Sequence, residues 1–253
     1  MIDNAFMPGF IAFYKSVVKN SPKILNYKWR FIDTGLSNSN KGYMASLLHD
    51  NVEFVKPRFE NYKHIDMSIT DDCLKNTYYK LDIFSYTDCD RVVFIDMDTI
   101  VLGDLNPLFR CGARLAGVQA YGSGSDNLRS GINTGVIVVN KPYLDFRLYK
   151  NILQFSRRGF SMPDQKAINK YFKKMIHILP KEYNCEKRMW KGKKHKIFFS
   201  RNGDLLYRIT NEKVRLLHFV SQKPWDKSPR GKLNKGYDEL APVSYTHLTL
   251  PTN

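Results

Sequence analysis

The chain has 253 residues, 43% of them hydrophobic, enough for one large α/β domain with a sizeable core. Forty basic and 24 acidic residues give a net charge of +16, which attracts nucleic acid, anionic lipid or acidic polysaccharide. No apolar run reaches the roughly 18 residues of a membrane span, the first residues lack a signal-peptide pattern, and Cys73, Cys89, Cys111 and Cys185 form no CxxC pair, so they read as cytosolic thiols.

In chain order, Pro8 to Lys19 predicts a helix, because Phe10, Phe13, Tyr14 and Val17 recur at helical spacing. Trp29–Ile32 is a predicted strand followed by an Asp33-Thr34-Gly35 turn. Lys41–Leu48 is a helix, Val52–Val55 a strand stopped by Pro57, and Cys73–Ser85 a helix. Val92–Ile95 is a buried strand, and a second apolar run, Thr99–Leu102, follows it closely. Leu105–Phe109 is a short turn or helix, Arg114–Ala120 a strand, and Tyr121–Gly131 a Gly- and Ser-rich loop. Val136–Val139 is another buried strand. Helices follow at Tyr143–Ser156 and Pro163–Phe172, then short strands at Ile176–Leu179 and Val214–Phe219. This alternation predicts a doubly wound, mainly parallel sheet.

Between the two apolar runs stands Asp96-Met97-Asp98. Along an extended chain both carboxylates point to one side. Hard oxygen ligands with open positions suit Mg²⁺ or Mn²⁺ carrying a diphosphate. Local chemistry alone leaves plainer readings open. Asp-x-Asp also fits a turn, His218 a core histidine, Lys80 a solvated lysine, Asn133 a turn residue, and Asp164 a helix-dipole partner.

Five separated pieces occur in order: Lys80, sixteen residues before Asp96; FIDMDTIVLGDL; INTGVIVVN; PDQKAIN; and LLHFVSQKPW. Together, from about Asp3 to Trp225, they resemble the glycogenin-like glycosyltransferases, family 8 of the retaining, GT-A-type sugar transferases. The resemblance implies a GT-A α/β fold, a UDP-sugar donor and Mn²⁺, with Mg²⁺ as a substitute. It implies Asp96, Asp98 and His218 as metal ligands, with Asp96 and Met97 also at the donor. Lys80 and Lys223 would reach the sugar diphosphate, and Asn133 a donor or acceptor sugar. Asp164 and Gln165 would lie at the reacting sugar. Asp3, Asn4 and Phe6 match the end of a nucleotide-binding motif, Phe6 replacing a tyrosine beside uracil. No glycosidase-like carboxylate pair is evident, so retention points to same-face substitution.

Three departures stand out. Ser221 replaces the family's usual glycine three residues after the histidine, the His-to-Lys spacing is one residue shorter, and the family's first strand is missing. The expectation is therefore an N-terminally truncated GT-A domain over residues 1–242. Residues 243–253, uncharged after a highly charged chain, read as a non-native tail. The expected activity is hexosyl transfer to a glycan or lipid-linked acceptor in surface polysaccharide or lipopolysaccharide synthesis. The expected setting is cytoplasmic, with the basic run Lys187–Lys196 touching the inner membrane face. No nucleic-acid signature accompanies the charge. The alternatives are a nucleotidyltransferase on a related fold, and a basic polyanion- or membrane-binding protein without catalysis.

Overall fold

The computed structural model describes residues 1–49, 51–121, 131–190, 196–221 and 223–225. Most of the predicted glycine-rich loop, the tail from 226 onward and the centre of the basic run lie outside the described residues.

The amino-terminal segment holds a parallel β ladder. β1 (Ile2–Asp3) pairs with β2 (Trp29–Gly35), and β2 pairs with β3 (Val52–Val55). Asp33-Thr34-Gly35, predicted as a turn, continues β2. The helices α1 (Met7–Asn20) and α2 (Asn38–Leu47) connect these strands. Phe10, Phe13 and Val17 form the buried stripe of α1 and pack with Phe31 and Met97. Each such side chain contributes roughly 1.5–3 kcal/mol by leaving water. The other side of α1 is stitched to β5 (Thr99–Val101): the Val101 N–H donates to Ser16 Oγ at 2.9 Å, and Asn20 Nδ2 donates to the Val101 carbonyl at 2.9 Å.

The next segment begins as the single turn α3 (Asp72–Lys75) and continues as a 3₁₀ helix to Ser85. β4 (Arg91–Ile95) then joins a four-stranded sheet ordered β4-β7-β6-β8, where β6 is Leu115–Gln119, β7 Ile132–Asn140 and β8 His177–Leu179. Here β7 runs antiparallel to both neighbours and only β6–β8 is parallel, so the fold is more mixed than the strand–helix alternation predicts. The helices α4 (Phe146–Phe155) and α5 (Pro163–Phe172) pack on this sheet and on the 3₁₀ segment, around Tyr78, Phe84, Tyr149 and Ile168.

β9 (Cys185–Glu186), β10 (Ile197–Phe199), β11 (Leu205–Tyr207) and β12 (Leu216–His218) are short. β12 lies between β5, antiparallel, and β9, parallel. The described part of the basic run is not a solvated face: Lys187 and Met189 are buried, and Trp190 stands edge-on to Phe199. Among the described residues no helix is long and apolar enough to cross a membrane.

Where the sequence predicts no first strand, Ile2 and Asp3 pair with Asp33 and Gly35 of β2. Beyond them β2 and β4 do not pair, and a cavity of about 450 Å³ lies between Trp29–Ile32 and Arg91–Ile95. Trp29 Nε1 and Tyr86 Oη line it, buried and without hydrogen-bond partners.

Candidate active site

The site forms where β4, β5, β7, β12 and the first turn of α5 converge. Asp96 follows β4, and its N–H donates to the Gly135 carbonyl at 2.9 Å, which fixes it against β7. Asp98 precedes β5, and its carbonyl accepts from the Phe219 N–H at 2.8 Å, just past His218. The register His218–Thr99 in the β5–β12 ladder completes the alignment. Ligand atoms of Asp96, Asp98 and His218 consequently lie within 4.8 Å of one another. His218 Nε2 is 3.3 Å from Asp98 and 3.8 Å from Asp96. Two carboxylates and an imidazole so gathered could hold a divalent cation.

Lys80 is 4% exposed, so the solvated-lysine reading fails. Its ammonium lies 2.8 Å from Asp164 and 3.3 Å from Asp96, and donates to the Thr134 carbonyl at 3.0 Å. Burial alone would push the Lys80 ammonium down, yet Asp164 and Asp96 hold it above its ordinary value. Burial likewise opposes ionisation of Asp164, but Lys80 and the Thr134 hydroxyl keep its carboxyl below the usual range. For Asp98, burial opposes ionisation, but His218, while its ring carries both hydrogens, and Lys223 outweigh it, so this carboxyl too is held low. Lys223 Nζ bonds directly to Asp98.

A bulge shapes the β7 side. The β6–β7 register jumps from Gly117–Ile137 to Val118–Asn133, leaving Thr134, Gly135 and Val136 without partners on β6. Such a bulge re-aims side chains. The Thr134 hydroxyl donates to Asp164 at 2.5 Å. A Cβ on Gly135 would come within 2.2 Å of His218 Cε1, so the ring rests on bare backbone. Asn133 is a strand residue, not a turn. Its Oδ1 accepts from the Gly135 N–H and from Asn184 Nδ2, each at 2.9 Å.

The remaining expected residues are placed as follows. Gln165, half-buried, follows Asp164 in the first turn of α5. The Met97 side chain packs into the core beside α1. Asp3 caps a short 3₁₀ turn by accepting from the Ala5 and Phe6 N–H groups. Asn4 Oδ1 accepts from the Ser37 N–H at 2.9 Å and from Asn40 at 2.8 Å, engaging α2, not the carboxylate cluster. Phe6 is edge-on to Trp225 at 6.0 Å, and Lys223 lies 5.9 Å from the Phe6 ring. Trp225 in turn packs flush on Gly9 of α1, where a Cβ would meet it at 2.5 Å.

Gly135, Thr134 and Asn184 touch the expected site residues, although sequence reasoning does not single them out. INTG, where Asn133 alone is singled out, carries the first two; nothing in the local sequence marks Asn184.

The chain is similar to known glycosyltransferases. "Glycosyltransferase GlyE" of Streptococcus pneumoniae is 26% identical over 183 residues, 67% of this chain and 42% of that protein. "Lipopolysaccharide 1,2-glucosyltransferase" of Escherichia coli is 28% identical over 159 residues, 54% of this chain and 45% of that protein. Relatives in Arabidopsis thaliana named as UDP-glucuronate:xylan alpha-glucuronosyltransferases are matched over as little as 21% of their length, so the chain spans less than half of these curated relatives. Among solved structures, a galactosyltransferase, LgtC, in complex with donor and acceptor sugar analogs superimposes with a TM-score of 0.67 at 17% identity, covering 99% of this chain and 95% of that one. This likeness shows a GT-A fold. A family model for glycosyl transferase family 8 matches residues 1–228, and the chain belongs to that family.

Proposed function

We propose that this chain transfers a hexosyl group from a UDP-sugar to a glycan or lipid-linked acceptor, with retention at the anomeric carbon, using Mn²⁺ or, less well, Mg²⁺. One observation carries the reading. Lys223, Asp98, His218, Asp96, Lys80 and Asp164 form a nearly continuous string of charged and titratable groups along one wall. The string suits a diphosphate at one end and a developing sugar cation at the other. Asp96, Asp98 and His218 would hold the divalent ion. When bound, that ion offsets the two carboxylates and the charge that develops on the leaving diphosphate.

The chain's own residues supply the rest. Lys223 beside Asp98 and Lys80 beside Asp96 put compact cations on both flanks of the carboxylate pair, where a diphosphate gains most from them. Asp164, kept ionised by Lys80 and Thr134, is a fixed negative charge to steady a cationic sugar, with the Gln165 amide next to it. Asp96, Asp98 and Asp164 each have a cationic neighbour, which favours same-face substitution over an inverting base. The names of the bacterial relatives support a surface glycan or lipopolysaccharide as acceptor. A nucleotidyltransferase or a basic binding protein gives no reason for His218 and Lys223 to converge on Asp98.

The test is a donor screen across UDP-sugars with Mn²⁺, comparing wild type with Asp98→Asn. The variant keeps the shape but loses a hard-cation ligand. Normal turnover by Asp98→Asn at limiting Mn²⁺ would refute the cation site. Proton NMR of the first-formed product reads the stereochemistry, and a β-linked product from an α-linked donor would refute retention.

A further inference from the structure

One wholly buried polar side chain has no role in the proposed reaction. Asn184 is 0% exposed. It ends the 3₁₀ turn Lys181–Tyr183 and precedes β9, whose Glu186 lies opposite His218 in the β9–β12 ladder. An interior amide that serves nothing is costly, because each of its donors and acceptors has given up water.

Its hydrogen bonds can be oriented from a fixed point. The Gly135 N–H can only donate, so the Asn133 atom that it meets at 2.9 Å is an oxygen. Asn184 approaches the same oxygen at 2.9 Å and must present its NH₂ there. The other end of the Asn184 amide, its oxygen, then faces His218 Nδ1 at 3.0 Å. An amide oxygen only accepts, so Nδ1 carries a hydrogen. In a neutral imidazole this leaves the lone pair on Nε2, the atom nearest Asp98 and Asp96. A lone pair aimed at two bare carboxylates is repelled by them, whereas one aimed at a cation between them becomes a ligand. The opposite amide orientation would set oxygen against oxygen at Asn133 and leave the Gly135 anchor unchanged.

We propose that Asn184 is a positioning residue for His218: the relay Gly135–Asn133–Asn184 selects the imidazole tautomer whose Nε2 is free and holds the ring toward the Asp96–Asp98 pair. The consequence for catalysis rests on the proposed cation site, but the tautomer itself does not. Outer partners of this kind typically set ligand affinity by about 10–100-fold.

Two measurements test the proposal. The first is nitrogen-15 NMR of the imidazoles in the ion-free wild-type protein at alkaline pH, with His218 assigned by its absence from His218→Gln. A neutral ring with protonated Nδ1 and bare Nε2 is expected, and a neutral ring with bare Nδ1 and protonated Nε2 overturns the relay. The second is Mn²⁺ affinity, read from the free-ion EPR signal. Asn184→Leu should weaken binding by about 10–100-fold in the wild-type background but leave it within about twofold in a His218→Ala background. Equal losses in both backgrounds would show that Asn184 acts on the fold at large. If the expected tautomer is found in a protein that binds no Mn²⁺, the relay stands and the cation reading fails. If Mn²⁺ binds while Nε2 is protonated, the relay alone fails.

Discussion

Lys80 donates to Asp164 across 2.8 Å with both side chains almost wholly out of water. Breaking such a pair from one side strands a charge, which typically costs about 3–5 kcal/mol. Lys80→Met should therefore destabilise strongly, and Lys80→Met combined with Asp164→Leu much less than the sum of the singles. The pH dependence has two arms. Asp164 is depressed from its ordinary 3.8, so its contribution is present above 3.8 and is lost as pH falls through the folded value. Lys80 is raised from 10.5, so its contribution is complete below 10.5 and is lost as pH rises through the folded value. Urea midpoints from acid to alkali should show both arms in wild type and smaller ones in the double variant. Identical profiles would remove the pair from the stability account.

Gly135→Ala places a methyl group 2.2 Å from His218 Cε1 and 2.5 Å from Nδ1. Both the ring and β7 are enclosed, so something must shift, at a cost of about 1–3 kcal/mol. The variant should melt lower and bind Mn²⁺ more weakly. Unchanged Mn²⁺ affinity would mean that His218 is not held where metal binding needs it.

Ser221 has φ of 68°, in the left-handed region. The family's usual glycine adopts that conformation without a Cβ penalty, whereas an L-residue gives up about 1–2 kcal/mol there. Ser221→Gly regains part of this, offset by the freedom it adds to the unfolded chain. A net gain of about 0.5–1 kcal/mol is expected, a rise of a few degrees in the melting midpoint. A fall would show that the serine side chain contributes more than the strain it carries.

The cavity between β2 and β4 is about 450 Å³, bounded by two strand edges that, among the described residues, have no partner along most of their length. We expect a Val- and Thr-rich segment of about 5–6 residues fused ahead of Met1 to lie there as a strand. It would continue β1 and give Trp29 Nε1 and Tyr86 Oη polar neighbours. The fusion should melt more cooperatively, and about 5 °C or more higher, corresponding to roughly 2 kcal/mol in a chain of this size. An equal midpoint and equal UDP affinity in the two proteins would show that the cavity needs no strand.

Much of the fold is legible in the sequence because its elements are long and patterned. The α1 stripe Phe10–Phe13–Val17, the β4 run and the α5 start at Pro163 follow their predicted ranges closely. β9, β10 and β11 leave no such trace, because two or three residues hold no measurable period and charged flanks make them resemble loops. The carboxylates and His218 are legible through their motifs. Asn184 is not, since an asparagine in a polar stretch becomes a buried relay only once β9 docks on β12. Lys80 is marked by its distance from Asp96, but its burial comes from the packing of α5 and β7 and not from its own segment.

β12 is three residues long and is the last described strand of the chain, yet it joins β5 to β9 and brings His218 to the carboxylates. During synthesis, which proceeds from the amino end, the ladders β2–β3 and β4–β7 can form before residue 218 leaves the ribosome. Until then Asp98 lacks both His218 and Lys223, and the two carboxylates of the turn after β4 have Lys80 and the buried amino terminus of Met1 as their cationic neighbours. A nascent chain stalled before β12 should therefore expose this turn to hydrogen exchange, and release of the full chain should protect it. Completion of the active site is in this way tied to synthesis and docking of β12.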